Sequence, residues 1–242
     1  MRRAVLLSML LAGVLLGAIL ATSTGRNLAW AAYTRLRGRA SVDDRLEEFG
    51  SAARERLRPG FEAAGVSYPP TEVALVALKE ERRLEVHARA DGAWRLVRVI
   101  TIQGASGALG PKLTEGDGQV PEGVYRIESL NPNSRYHVAL RVAYPNEHDR
   151  ARGLADGRGD LGGDIMIHGG RLSIGCIAVG DPAAEELFTL AADVGLEHVE
   201  LLIAPCDLRT NPPATPLPTE PAWVSELYAD LVARLDPLRD SG

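Results

Sequence analysis

His168 and Cys176 stand eight residues apart in a chain that has five histidines and two cysteines. The apolar run Asp164-Ile165-Met166-Ile167 leads into His168, and Gly169 and Gly170 follow it. Ser173-Ile174-Gly175-Cys176 closes the segment. A thiolate is the nucleophilic form of cysteine, and an unperturbed thiol is only slightly ionised at neutral pH. A neighbouring imidazole can take the thiol proton and later hand one to a leaving amine. Gly169, Gly170 and Gly175 let a substrate approach the backbone closely. Backbone N–H groups around Gly175 and Cys176 are candidates for holding a developing oxyanion, and Ser173 adds a hydroxyl. Blander readings of the same residues are a hydrogen-bonded structural histidine and a small core cysteine. A zinc site would use His168 and Cys176 with His137 or His148, but the usual paired-ligand spacings are absent. A Cys176–Cys206 disulfide would remove the nucleophile; a free, part-buried thiol is the plain reading of Cys206.

The pair needs a scaffold, and the hydrophobic pattern describes one. Ile165 to Ile167 reads as a short buried strand. Val73 to Leu78, Leu84 to Ala90 and Trp94 to Ile102 read as strands, with Asp91-Gly92 as a hairpin turn between the last two. Gly104, Gly107 and Gly110 open a loop. Val124 to Leu130 and His137 to Tyr144 are further strands, joined by the turn Asn131-Pro132-Asn133-Ser134. Residues 145–163 are polar and glycine-rich without periodicity and read as a surface loop. After Cys176, Asp181 is placed as an N-cap and Pro182 as the first helical residue, and the helix stops at Gly195. His198 to Ala204 is the last strand. Leu46, Phe49, Ala53, Leu57 and Phe61 give residues 41–65 a helical period, with a break at Pro59-Gly60. Trp223, Leu227, Leu231 and Leu235 form the stripe of an amphipathic helix over 222–236 that docks on the body of the protein. The fold class is mainly β with flanking helices.

Net charge is −5, which argues against nucleic acid as a partner. Arg2-Arg3 precede an apolar run from Ala4 to Ala21. At about 18 residues that run is at the lower limit of a membrane span, and it reads as a signal peptide or retained anchor within residues 1–31. Ala29-Trp30-Ala31 resembles a cleavage site. The expected organisation is therefore this segment, a helical extension over 41–69, a catalytic domain over 70–210, and a Pro-rich linker with the C-terminal helix over 211–242. The expected location is the periplasm or cell envelope, with the membrane met through residues 4–21.

Ile167-His168-Gly169 followed by Ser173-x-Gly175-Cys176 resembles the catalytic motif of the L,D-transpeptidase (YkuD-like) family, and more closely its YafK-type branch. Gly110-Pro111-Lys112, Glu115-Gly116-Asp117, Val120-Pro121-Glu122-Gly123-Val124-Tyr125 and Asn131-Pro132-x-Ser134-x-Tyr136-His137 continue the likeness, as do Tyr144-Pro145-Asn146 and Asp149. The resemblance spans about residues 72–206. It implies an L,D-transpeptidase-like β-sandwich with a Cys/His groove and no cofactor or metal. It implies that Cys176 is the nucleophile and His168 the base, acting on peptidoglycan stem peptides, with links to wall biogenesis or degradation and to cell shape. Cys176 would attack the L-centre carbonyl of diaminopimelate in a stem tetrapeptide and release D-alanine. An amine acceptor, from a second stem or a wall-attached protein, would then resolve the thioester. The wider family has Ser-His-Gly-Cys where this chain has Ile174 in second place, and its loop from His to Cys is longer. Both departures suit the branch and leave attack by water, a hydrolase, as the alternative; a non-enzymatic wall-binding module is the second alternative. Of the remaining positions, Gly169, Gly175 and Ser173 are expected to line the groove. Adjacent strand residues face opposite ways, so only one of Tyr136 and His137 can join them, and His137 is the choice. Lys112 reads as a solvated loop lysine.

Overall fold

The structure, a computed structural model, describes residues 38–211 and 221–239. The apolar run 4–21, the site at 29–31 and most of the Pro-rich linker lie outside the described residues. Among those described, no helix is long and apolar enough to cross a membrane.

Nine strands form one continuous mixed sheet: β1 (Val73–Leu78), β2 (Arg83–Ala90), β3 (Ala93–Thr101), β4 (Gly104–Ala105), β5 (Gly123–Ser134), β6 (His137–Val142), β7 (Met166–His168), β8 (Ile177–Ala178) and β9 (Val199–Ala204). Their spatial order is β3-β2-β1-β9-β5-β6-β7-β8-β4. The fold is mainly β with helices around it, as the sequence pattern predicts. Asp91 and Gly92 both take positive φ, 49° and 80°, as a tight two-residue hairpin between β2 and β3 requires. β5 is the strand that joins the two halves of the sheet. Its residues Gly123 to Arg126 pair with β9, and Ile127 to Ser134 pair with β6. The strand therefore runs through Asn131-Pro132-Asn133-Ser134, which the sequence assigns to a turn, and the reversal falls at Arg135-Tyr136 instead.

β1 is buried at every position because both of its faces are covered. Val73, Leu75 and Ala77 face the main core, while Ala74, Val76 and Leu78 face a second one. The main core is closed by the helix Ser51–Ala64 and the helix Asp181–Val194, through Leu57, Phe61, Leu187, Phe188 and Leu190. The second is closed by the C-terminal helix Val224–Leu235, through Leu227, Leu231 and Leu235. A strand covered on both sides loses the period-two alternation and reads as a continuous apolar run.

Two helical expectations change. The first helical segment is widened into a π-helical stretch at Leu46–Gly50, not broken at Pro59-Gly60. Helix Ser51–Ala64 passes through that pair, and Gly60 lies directly under β3, where a Cβ would stand 1.9 Å from Val97 O. Residues 145–163 are not all loop. Glu147–Ala155 is a helix, started by a capping box in which Asn146 Oδ1 accepts from Asp149 N and Asp149 Oδ2 accepts from Asn146 N.

One buried polar node ties the C-terminal helix to the sheet. Lys79 Nζ donates to Glu122 Oε1 (2.9 Å), Gly110 O (2.9 Å) and Val120 O (3.1 Å). Gly110 N–H donates to the same Glu122 Oε1, and Tyr228 OH donates to Glu122 Oε2 at 2.8 Å. Glu122 is buried, so each of its bonds is made away from water. Tyr228→Phe is expected to destabilise the protein by about 2 kcal/mol, the value of a hydrogen bond to a buried charged group. A urea midpoint equal to wild type would show that the hydroxyl contributes nothing.

Candidate active site

β7 and β8 are parallel, with Ile167 opposite Ile177 and His168 opposite Ala178. Cys176 immediately precedes this pairing, in the bend that leads into β8. The parallel pairing sets the segments that carry the two residues side by side although eight residues separate them in the chain.

His168 is buried at 2% exposure. Its Nδ1 lies 2.6 Å from Gly169 O. A carbonyl only accepts, so Nδ1 carries the proton of the neutral ring and Nε2 keeps its lone pair. Tyr136 stacks on the ring with centroids 4.7 Å apart and planes 22° apart, which fixes the ring's second rotational freedom. Burial pushes the imidazole below its ordinary value, and the Gly169 carbonyl offsets this in part. His168 is therefore a neutral base at neutral pH.

Burial also pushes the Cys176 thiol up, and the Asp164 carboxylate adds to this; a bond from Met166 N–H works the other way. The thiol donates to Asp164 O at 3.6 Å and is not hydrogen-bonded to His168. With one pKa raised and the other lowered, the resting pair is thiol and imidazole rather than thiolate and imidazolium. Cys176 and Cys206 are both free thiols.

The segment between them is held by its backbone. Gly170 takes φ +67°, and its N–H donates to Asp181 Oδ1 at 2.7 Å. Asp181 is itself the first residue of its helix, so its carboxylate ties this loop to the helix instead of acting as the expected N-cap. A Cβ on Gly169 would stand 2.4 Å from that carboxylate and 2.8 Å from Tyr136 O, so this position accepts only glycine. Leu172 and Ile174 point outward, at 70% and 87% exposure. Ser173 Oγ donates to Cys176 O. Gly175 takes φ +89° just before the nucleophile, and its N–H donates to Ser106 Oγ at 2.6 Å.

Several expected placements therefore change. His137 is not against the base: it takes φ +74°, and its Nε2 lies 2.9 Å from Glu185 Oε1 on the following helix. Its neighbour Tyr136 is the residue at the site. The two side chains part because Tyr136 lies in the reversal between β5 and β6 and His137 has positive φ, not through strand alternation, and the one at the site is not the expected one. Lys112 is not solvated. Its Nζ is buried on Asp117 Oδ1 (2.7 Å) and Thr114 O (2.8 Å). Gly175 N–H is engaged by Ser106 rather than open to an oxyanion. Ser106 itself carries no signal in the sequence beyond lying in the glycine-rich loop 104–110. Among the described residues, no three His, Cys, Asp or Glu side chains gather as metal ligands would.

Residues 72–201 match the family model described as YkuD, L,D-transpeptidase catalytic domain. YafK of Escherichia coli (strain K12), provisionally named an L,D-transpeptidase, is 36% identical over 138 residues, which cover 55% of this chain and 54% of that protein. The chain thus spans about half the length of the curated relatives it matches. Among solved structures, the helical cell shape determining protein Pgp2 of Campylobacter jejuni is 27% identical over 58% of this chain and 50% of its own, with a TM-score of 0.46. L,D-transpeptidase 1 of Mycobacterium tuberculosis is 16% identical over 55% of this chain and 62% of its own, with a TM-score of 0.33.

Proposed function

The chain belongs to the YkuD family of L,D-transpeptidase catalytic domains, and from that membership we propose that it is a peptidoglycan L,D-transpeptidase with Cys176 as nucleophile and His168 as base. The observation that carries the reading is the state of His168: its Nδ1–H is fixed on Gly169 O, which leaves Nε2 as the basic nitrogen, on a strand paired with the one that Cys176 leads into. A turn of the Cys176 side chain moves its proton from Asp164 O to that Nε2. The sulfur then adds to the carbonyl at the L-centre of diaminopimelate in a stem tetrapeptide. The tetrahedral intermediate collapses, the C–N bond to D-alanine breaks, and the imidazolium gives its proton to the departing amine. A thioester remains on Cys176. An acceptor amine attacks it, His168 takes the amine proton, and the thiol is released as the new amide forms. The acceptor is a second stem peptide or a wall-attached protein. The work is done in the periplasm or cell envelope, with residues 4–21 as the segment that meets the membrane.

The test supplies purified tetrapeptide muropeptides with and without an amine acceptor. D-alanine release, a mass increment on Cys176 and a cross-linked product are expected. A tripeptide as the sole product, with acceptor present in excess, would replace the transferase with a hydrolase. A thiol that takes up neither muropeptide nor carbapenem would remove the enzyme reading.

A further inference from the structure

Ser106 connects the nucleophile's turn to a separate, rigid part of the chain. β4 and β8 pair antiparallel, Gly104 with Ala178 and Ala105 with Ile177, so the same register carried one step further sets Ser106 across from Cys176. There the register gives way, because Gly175 turns with φ +89°. Ser106 Oγ makes up for the lost ladder bond. It accepts Gly175 N–H at 2.6 Å and donates its own proton to Gly118 O at 2.7 Å. It also stands 3.5 Å from Ser173 Oγ, the hydroxyl that donates to Cys176 O. One hydroxyl is thus anchored on one side and holds the residue before the nucleophile on the other.

The anchor is itself fixed. Gly118 lies in a turn organised by Asp117, whose carboxylate accepts from Leu113 N, Thr114 N and Gln119 N. The buried Lys112 ammonium holds the same carboxylate at 2.7 Å and keeps it well ionised, the bonds outweighing its burial. On the far side of the turn, Gln119 O approaches Gly175 so closely that a Cβ there would stand at 3.3 Å. The path from Lys112 through Asp117 and Gly118 to Ser106 consists entirely of direct bonds, and none of these groups is used by the chemistry proposed above.

The geometry points to Ser106 as a positioning residue for acyl transfer: its hydroxyl sets the Gly175–Cys176 turn, and with it the angle at which the sulfur meets a carbonyl. The inference rests on the acyl-enzyme reading and deepens it. Two consequences distinguish it from general support of the fold. A small alkylating agent needs only a thiolate and tolerates many approach angles, whereas addition to an amide or β-lactam carbonyl needs one. Ser106 should therefore matter for acylation and hardly at all for alkylation. Its loss should also expose one amide, that of Gly175.

The full chain is compared with its Ser106→Ala and Ser106→Thr variants on three readouts. In Ser106→Ala, amide exchange at Gly175 is expected to accelerate about tenfold or more. Acylation by a tetrapeptide or carbapenem at saturation is expected to slow by about 10- to 100-fold, with the half-saturating concentration within about threefold of wild type. Alkylation by iodoacetamide, and its pH profile, should stay within about threefold. Ser106→Thr keeps the hydroxyl and should restore Gly175 exchange and acylation, with alkylation again unchanged. Unchanged Gly175 exchange, or unchanged saturated acylation, in Ser106→Ala overturns the assignment, as does an equal slowing of alkylation and acylation. A wild type that alkylates but is never acylated overturns the transpeptidase reading instead, and Gly175 exchange alone then decides whether the hydroxyl holds the turn.

Discussion

Replacing Cys176 with alanine is expected to lower D-alanine release from tetrapeptide donors on the order of 10⁴- to 10⁶-fold and to abolish the covalent adduct. The size follows from what the residue does. A general base or a hydrogen-bond donor lowers a barrier along a given route, whereas the nucleophile defines the route. Without the sulfur no thioester can form, and the remaining groups can only orient water. Cys176→Ser should be nearly as inactive. A hydroxyl is a far weaker acid than a thiol, and the surroundings of residue 176 already disfavour the anion through burial and the Asp164 carboxylate. Neither variant should unfold the protein, because Cys176 is only part-buried and its sulfur meets only backbone groups, donating to Asp164 O at 3.6 Å and facing Met166 N–H. Intact-mass measurement after incubation with donor, together with a thermal midpoint, separates loss of chemistry from loss of structure. D-alanine release persisting in Cys176→Ala within tenfold of wild type would mean that the thiol is not the nucleophile.

The elements that were readable from the sequence are those whose cause is local. Asp91-Gly92 declares a hairpin because only such residues accept two consecutive positive φ values. The stripe of Leu227, Leu231 and Leu235 declares a buried helix face at any position in a fold. The His168 to Cys176 segment was readable because its histidine, glycines and cysteine lie in one short stretch. What the sequence did not show is nonlocal or runs against a local rule. Alternation along one strand does not apply to Tyr136 and His137, because Tyr136 lies in the turn at Arg135-Tyr136; which of them meets His168 depends on that turn and on Glu185 drawing His137 toward the helix, 48 residues further on. Ser106 gains its meaning from a glycine 69 residues away. The helix over Glu147–Ala155 had a readable start in Asn146 and Asp149. Its interior hides because only Gly153 is buried, under Leu161, and a glycine contributes no apolar signal. Lys112 looked solvated because a loop lysine usually is. Its partner Asp117 is only five residues on, but nothing in the spacing says that the pair is buried.

His168→Gln is expected to slow acylation by about 10²- to 10⁴-fold and to change the shape of its pH dependence. In the wild type the base works only when neutral. Burial holds the ring below its ordinary value of 6.5, so the acid limb of the acylation profile should fall below that pH and the rate should be flat through neutrality. The thiol, raised by the same burial, contributes almost no free anion in this range. The flat region therefore reports proton transfer to Nε2 during attack rather than a preformed thiolate. Glutamine has no lone pair of comparable basicity at that position, so the residual reaction in the variant must proceed through the free thiolate. Its rate should rise with pH by about tenfold per unit, and keep rising until the raised pKa of Cys176 is passed. Loss of the acid limb and gain of an alkaline one in the same variant is a signature that misplacement of the sulfur would not produce, since a misplaced sulfur would scale the whole curve down and leave its shape alone. A His168→Gln profile parallel to wild type would therefore reassign the base and leave His168 as a support for Tyr136 and the Gly169 turn. An ion-pair mechanism makes the opposite prediction for the wild type: iodoacetamide would alkylate Cys176 rapidly well below neutral pH. Slow alkylation at pH 6 together with full acylation at pH 7 would establish that the proton moves only as the carbonyl arrives.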